Sequence, residues 1–159
     1  MSERRALLKA ALFAPVALAL RTASAEATDY ASAAEVFEAI DRLEADAAAQ
    51  LRRLGRESPA AHAFTASALA DHERHLRVRA RQRVRLGLGS GPAATAAESE
   101  AGSLAALRAA QEALVYAHAE GFPALGDALA VHDLMANMVD LARHLTVIDL
   151  WLEREEARG

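Results

Sequence analysis

The chain has 159 residues, 18 of them basic and 22 acidic, and a net charge of −4. This charge argues against a nucleic-acid partner, because proteins that bind nucleic acid carry an excess of positive charge. The chain contains no cysteine, which excludes disulfides, thiolate metal sites and a cysteine nucleophile.

The N-terminal segment has the three parts of an export signal. Adjacent Arg4 and Arg5 precede two leucines and a lysine, an apolar run covers residues 10–20, and Ala23-Ser24-Ala25 offers the small residues that a signal peptidase accepts. The paired arginines resemble the twin-arginine (Tat) export signal. The apolar run is too short for a membrane anchor, since a helix needs roughly twenty residues to cross the hydrocarbon core.

These features predict a signal peptide at residues 1–25 and one mature domain at residues 26–159, close to the usual size of a single domain. The Tat resemblance implies a periplasmic or otherwise exported protein, with the Tat machinery and signal peptidase as partners and no membrane anchor after cleavage. It also implies export in the folded state, often with a cofactor already inserted. The sequence is also compatible with a homo-oligomer.

The mature sequence is typical of an all-α protein. From Ala31 onward it is rich in alanine, leucine, glutamate and arginine, and its apolar residues recur at spacings of three and four. Helices are predicted at residues 33–54, 58–86, 104–120 and 127–155, the third ending at Gly121-Phe122-Pro123. Four amphipathic helices of this length favour a four-helix bundle.

The start of the third helix leaves two topologies open. If residues 88–102 form a loop, they reach at most about 50 Å at roughly 3.3 Å per residue, enough to cross the whole bundle and give the ferritin-like arrangement. If a short turn at residues 87–91 leads into a helix near Pro92, the bundle is a plain up-down-up-down one. The helix-start position of Pro92 and the apolar spacing after it favour the plain bundle slightly.

Several polar residues lie on or beside the predicted apolar faces. Glu44 falls on the apolar stripe of the first helix, where a charged side chain needs a cation or a donor. Aspartate and histidine stand four residues apart on the second helix and again on the fourth, a spacing that lets them converge on one ion or pair with each other. The candidate metal ligands are Glu44, Asp71, His72, His75, His118, Asp140 and His144.

The topology determines which of these candidates can meet. With short turns throughout, a cluster is geometrically feasible that comprises Glu44, Asp71, His75, Gln111, Asp140 and His144. With the long crossover, His118 becomes the third-helix neighbour of His72 and His75, while His144 moves towards one end of the bundle. Both aspartate-histidine pairs could also be ordinary ion pairs.

Residues 33–155 resemble the ferritin-like proteins. The di-iron members of that family bind their metal through a glutamate from each of two helices and a glutamate-x-x-histidine motif from each of the other two. In the second-helix stretch, residues 70–75, His75 is in place and His72 stands at the glutamate position. In the fourth-helix stretch, His144 is in place and Leu141 stands at the glutamate position. Glu44 matches the first helix, and Gln111 or Glu112 the third.

Two functions therefore follow from the sequence. The resemblance implies an exported bundle that binds a divalent metal ion, with iron as the metal of the family, for metal handling or a degenerate redox role. The alternative is a metal-free periplasmic helical module that binds another molecule or protein. Histidines and carboxylates buried at one level of the bundle favour the first function, and ion pairs pointing to water favour the second.

Overall fold

The computed structural model describes residues 29–89 and 103–158. They form four α-helices, with a short 3-10 turn before the second, and include no strand. The helices are α1 (Ala33–Glu57), α2 (His62–Arg85), α3 (Leu104–Leu125) and α4 (Ala128–Glu156). The prediction of an all-α four-helix bundle is confirmed. The predicted signal peptide, residues 1–25, lies outside the described residues.

Side-chain caps begin three of the helices. Ser32 Oγ accepts a hydrogen bond from the Glu35 N–H at 3.3 Å, and Asp127 Oδ1 accepts one from the Ala130 N–H at 2.8 Å. Ser103 caps α3 in the same way. Such caps each contribute about 1 kcal/mol and involve only neighbouring residues, so the starts of α1 and α4 are predictable from the sequence.

The predicted end of α3 at Gly121-Phe122-Pro123 is wrong, because the helix continues through Pro123 to Leu125. It stops at Gly126, which has the left-handed φ of 60° that favours glycine. Gly121 instead allows two helices to approach closely, since a Cβ at this position would collide with the Val36 side chain of α1. The glycine serves helix packing here and does not terminate the helix.

The second and third helices run in the same direction. Arg85, the last residue of α2, pairs with Asp127, which lies two residues beyond the end of α3. The ends of α2 and α3 are therefore neighbours. Leu104, the first residue of α3, packs instead with Leu51 and Leu54 at the opposite end of the bundle. The chain must cross the bundle lengthwise between α2 and α3, which is the arrangement with one long connection.

This topology contradicts the up-down-up-down alignment that the sequence around Pro92 favours. Pro92 and the apolar spacing after it indicate where a helix could start, but they do not indicate which end of the bundle it starts from. Leu104 and Leu107 settle that end by packing beside the α1–α2 turn, a tertiary contact that helical periodicity does not encode. Residues 90–102 lie outside the described residues.

Two apolar clusters occupy the two ends of the bundle. One is built around residues such as Val36, Phe37 and Leu134, and the other around Leu51 and Ile148. Buried polar side chains from all four helices lie between them: Glu44, His72, His75, Gln111 and His144. None of the helices that the described residues form has both the length and the apolarity to cross a membrane.

Candidate metal centre

A carboxylate and two imidazoles converge in the middle of the bundle. Glu44 Oε1 lies 2.6 Å from His72 Nδ1 and 2.9 Å from His75 Nδ1. The two histidines are three residues apart on α2, so both rings face α1. All three side chains are buried, and their ligand atoms lie within 4.8 Å of one another. This group could hold a metal ion.

The spacing of these atoms suits a first-row metal. Zinc binds nitrogen and carboxylate oxygen at about 2.0–2.2 Å in a tetrahedral arrangement, which places neighbouring ligand atoms roughly 3.4 Å apart. The Glu44 Oε1 contacts to His72 and His75, at 2.6 and 2.9 Å, would therefore open by about 0.5–0.8 Å to admit an ion. Three protein ligands leave further coordination positions for water or a substrate, as in catalytic sites.

Arg79, one turn beyond His75, fixes the other oxygen of the Glu44 carboxylate. Its Nη1 donates to Glu44 Oε2 at 3.1 Å, and its Nε donates to Asp41 Oδ1 at 2.7 Å. Burial would raise the pKa of Glu44, but hydrogen bonds from His72 and His75 and the charge of Arg79 hold it well below its ordinary value. Glu44 is therefore ionised, as a metal ligand must be.

Each of the two histidines has a polar partner on its far side. His75 Nε2 lies 3.3 Å from Asp140 Oδ2 on α4, and His72 Nε2 lies 2.9 Å from the Gln111 amide nitrogen on α3. Metal-binding histidines usually have such a partner, which sets the orientation and the tautomer of the ring. Asp140 and Gln111 thus complete the surroundings expected of two histidine ligands.

His144 and Asp71 extend this network towards the surface. His144 Nε2 lies 3.1 Å from Asp71 Oδ2, and its Nδ1 lies 3.4 Å from Gln111 Oε1. Burial lowers the pKa of His144 to about 4 although the contact with Asp71 acts to raise it, so the ring is neutral at pH 7. Burial acts to raise the pKa of Asp71, yet the contact with His144 and the hydrogen bond from Arg74 lower it.

Two arginines close the site where α2 meets α4. Arg74 donates to Asp71 at 2.8 Å and also pairs with Asp140. Arg143 donates to Asp71 at 2.9 Å and pairs with Asp140 at 3.1 Å. The side chains of Arg74 and Arg143 are 47% and 61% exposed, whereas Asp71 and Asp140 are largely covered. The centre is thus separated from solvent at this edge by a four-residue ionic layer.

The structure joins six of the seven predicted site residues in one hydrogen-bonded network, and His118 lies outside that network although the charge of Glu44 acts on its pKa. The six are Glu44, Asp71, His72, His75, Asp140 and His144. With the long crossover, His118 was expected beside His72 and His75, and His144 towards a bundle end. Gln111 contacts both His72 and His144 instead, so the expectation is wrong for these two rings. His118 is buried, and its Nδ1 donates to the Leu114 carbonyl at 2.7 Å.

Sequence reasoning missed Arg79 and its partner Asp41. The signal was available, because His72, His75 and Arg79 are spaced three and four residues apart and therefore share one helix face. A buried cation was needed opposite Glu44, and Arg79 is the nearest arginine on that face.

The comparisons with known proteins add no relative, since no protein family, curated protein or solved structure matches the chain.

Proposed function

We propose that this protein is an exported, ferritin-like four-helix bundle that binds a divalent metal ion through Glu44, His72 and His75. The observation that carries the proposal is a fully buried, ionised carboxylate whose Oε1 faces the Nδ1 atoms of two buried histidines, while Arg79 holds its Oε2. One carboxylate oxygen and two imidazole nitrogens that converge in this way are ligands a divalent metal ion accepts.

The ligand types narrow the choice of metal. Two histidines and one carboxylate with open positions are typical of non-haem iron(II), and zinc accepts the same set. Nitrogen ligands disfavour calcium and magnesium, which prefer oxygen. We propose iron as the physiological metal, because the ferritin-like resemblance points to it, and metal handling or a degenerate redox role as its use.

Two features support export and the ferritin-like assignment. Arg4 and Arg5 form the twin-arginine pattern, and the single long connection between α2 and α3 is the one that ferritin-like bundles have. The ligands come from two helices and converge only in the folded chain. A Tat route, which carries folded proteins, would let the ion be bound before export to the periplasm.

The test is metal analysis of the full protein, purified from the exported fraction without chelator, followed by removal of the metal and titration with Zn²⁺, Fe²⁺ and Co²⁺. We expect stoichiometric metal in the wild type and its loss in Glu44→Gln and His75→Gln. Glu112→Gln is the matched control, because Glu112 is a half-buried helix carboxylate that pairs with Arg108 away from the centre. Wild-type protein that contains no metal and binds none would refute the proposal.

One observation favours the alternative of a metal-free binding or interaction module. The carboxylates around the centre are matched by arginines, so the group is charge-balanced without a cation. The carboxylates are Asp41, Glu44, Asp71 and Asp140, and the arginines are Arg74, Arg79, Arg83 and Arg143. The same titration separates the two functions, since the module predicts no saturable binding of any of the three metals.

A further inference from the structure

The second and fourth helices carry the same five-residue pattern. Asp71-His72-Glu73-Arg74-His75 in α2 and Asp140-Leu141-Ala142-Arg143-His144 in α4 share aspartate, arginine and histidine at equivalent positions. Each stretch lies in the second helix of a helical hairpin, since α1 leads into α2 and α3 leads into α4 through short turns. The chain therefore repeats one motif at the same place in two hairpins.

The contacts between the two copies are reciprocal. Asp71 of the first copy pairs with His144 of the second at 3.1 Å, and Asp140 of the second pairs with His75 of the first at 3.3 Å. Arg74 and Arg143 each pair with both aspartates. Such an exchange of equivalent partners is the mark of a local twofold relationship between the two hairpins.

The first helix of each hairpin completes the repeat. Glu44 of α1 contacts His75, which follows it by 31 residues, and Gln111 of α3 contacts His144, which follows it by 33 residues. Glu44 and Gln111 are both fully buried. The Glu44–His75 arm and the Gln111–His144 arm therefore occupy equivalent positions on the two sides of the centre.

The two sides differ at two positions that decide whether an ion can bind. Where the first side has the carboxylate of Glu44, the second has the neutral amide of Gln111, and where the first has His72, the second has the buried Leu141. The second side keeps one imidazole, His144, and lacks both a charged ligand and a second nitrogen. We infer that the chain binds a single metal ion and that Gln111 and His144 act as positioning residues that orient His72 towards it. This inference rests on the proposed function.

The Gln111 amide contacts one histidine with each of its two polar atoms. Its nitrogen donates to His72 Nε2, so His72 carries its proton on Nδ1 and donates it to Glu44. Its oxygen faces His144 Nδ1, so His144 also carries its proton on Nδ1 in the ion-free protein. If His72 Nδ1 held an ion, the His72 proton would be on Nε2, and Gln111 would have to turn its amide so that the oxygen accepts from Nε2–H. The Gln111 nitrogen would then donate to His144 Nδ1, and His144 would donate from Nε2 to Asp71. Every ring is neutral and every contact is satisfied in the ion-bound arrangement.

The test combines ion titration with NMR of the histidine rings in the full chain. In wild-type protein we expect one Co²⁺ or Zn²⁺ per chain, and on addition of Zn²⁺ a shift of the proton to Nε2 on both His72 and His144. Gln111→Met, which keeps the volume and removes the hydrogen bonds, should weaken binding by about 10–100-fold and change the visible spectrum of bound Co²⁺. Asn137→Leu is the control, because Asn137 is a buried amide of α4 whose nitrogen has no hydrogen-bond partner.

Each outcome distinguishes the inference from the proposed function. No ion bound by the wild type would refute the proposed function itself. Two ions per chain, or equal affinity and spectrum in wild type and Gln111→Met, would overturn the inference alone. If Gln111→Met fails to fold, the wild-type NMR experiment tests the inference on its own. A His144 tautomer that does not change on addition of Zn²⁺ would contradict the positioning role. Gln111→Glu combined with Leu141→His should raise the stoichiometry to two ions, and a double variant that folds but still binds one ion would count against the twofold relationship.

Discussion

Replacing Glu44 by glutamine should destabilise the ion-free protein and abolish its stabilisation by metal. The carboxylate accepts hydrogen bonds from His72, His75 and Arg79 while fully buried. Breaking a buried ion pair costs about 3–5 kcal/mol. Two features reduce that cost, because the glutamine oxygen still accepts one hydrogen bond and Arg79 keeps its 2.7 Å contact with Asp41. We therefore expect a loss of about 2–3 kcal/mol, or roughly 10 °C in Tm for a domain of this size.

Metal binding should raise the free energy of unfolding of the wild type but not that of Glu44→Gln. At a free concentration of about 100 times Kd, an ion adds about 2.7 kcal/mol to the free energy of unfolding. Urea unfolding followed by circular dichroism, with and without Zn²⁺, should show this gain in the wild type and none in Glu44→Gln. The partly exposed pair of Glu112 and Arg108 contributes about 1 kcal/mol at most, so Glu112→Gln should behave much like the wild type. Equal stability and an equal Zn²⁺ response in Glu44→Gln would refute the reasoning.

Three further predictions concern other parts of the chain. Burial lowers the pKa of His118 to about 4, below the value of about 6.5 for an unfolded histidine. The unfolded chain therefore binds the additional proton, and this residue should reduce the free energy of unfolding by about 1.4 kcal/mol per pH unit as the pH falls from about 6 to 4. In urea titrations of ion-free protein, His118→Leu should reduce the slope by about this amount and leave the similar contribution of His144. An unchanged slope would contradict the burial argument. Gly121→Ala should lose about 1 kcal/mol, since overpacking against Val36 outweighs the gain in helix propensity. In a Val36→Ala background, Gly121→Ala should lose much less stability, because the colliding methyl groups of Val36 are gone. Strict additivity in the double-mutant cycle would show that the two residues do not interact. Lysine at both Arg4 and Arg5 should abolish export of a reporter fused to residues 1–25, and continued export would exclude the Tat route.

The sequence predicts the helices well because their signals are local. Ser32 and Asp127 cap helices through residues three positions away, and the apolar periodicity lies within single helices. The predicted helix end at Gly121 was wrong because this glycine allows close packing against Val36, a residue far away in the chain. The sequence also indicated Glu44 as a site residue, because a carboxylate on an apolar stripe requires a partner wherever the stripe is buried.

The site residues were harder to place, because the same face of α3 offers both Gln111 and His118. They are seven residues apart, which is about two helical turns, so periodicity alone cannot say which of them meets His72. The packing of Leu104 determines which of the two residues meets His72. Leu104 lies in the same apolar cluster as Leu51 of α1, and α1 and α3 run antiparallel. Gln111 follows Leu104 by the two turns that separate Leu51 from Glu44, so Gln111 comes level with Glu44.

The position of His144 along its helix, unlike that of His118, does not depend strongly on the topology. This explains why most of the cluster could be predicted before the topology was known. His144 lies two residues from the middle of α4, which spans Ala128–Glu156, so reversing the direction of that helix would move it by only about 6 Å along the axis. Glu44 is similarly close to the middle of α1 (Ala33–Glu57). Site residues near helix midpoints meet in either arrangement of the bundle. A residue such as His118, closer to the end of its helix, depends on how the crossover places that helix, and this information lies in tertiary packing.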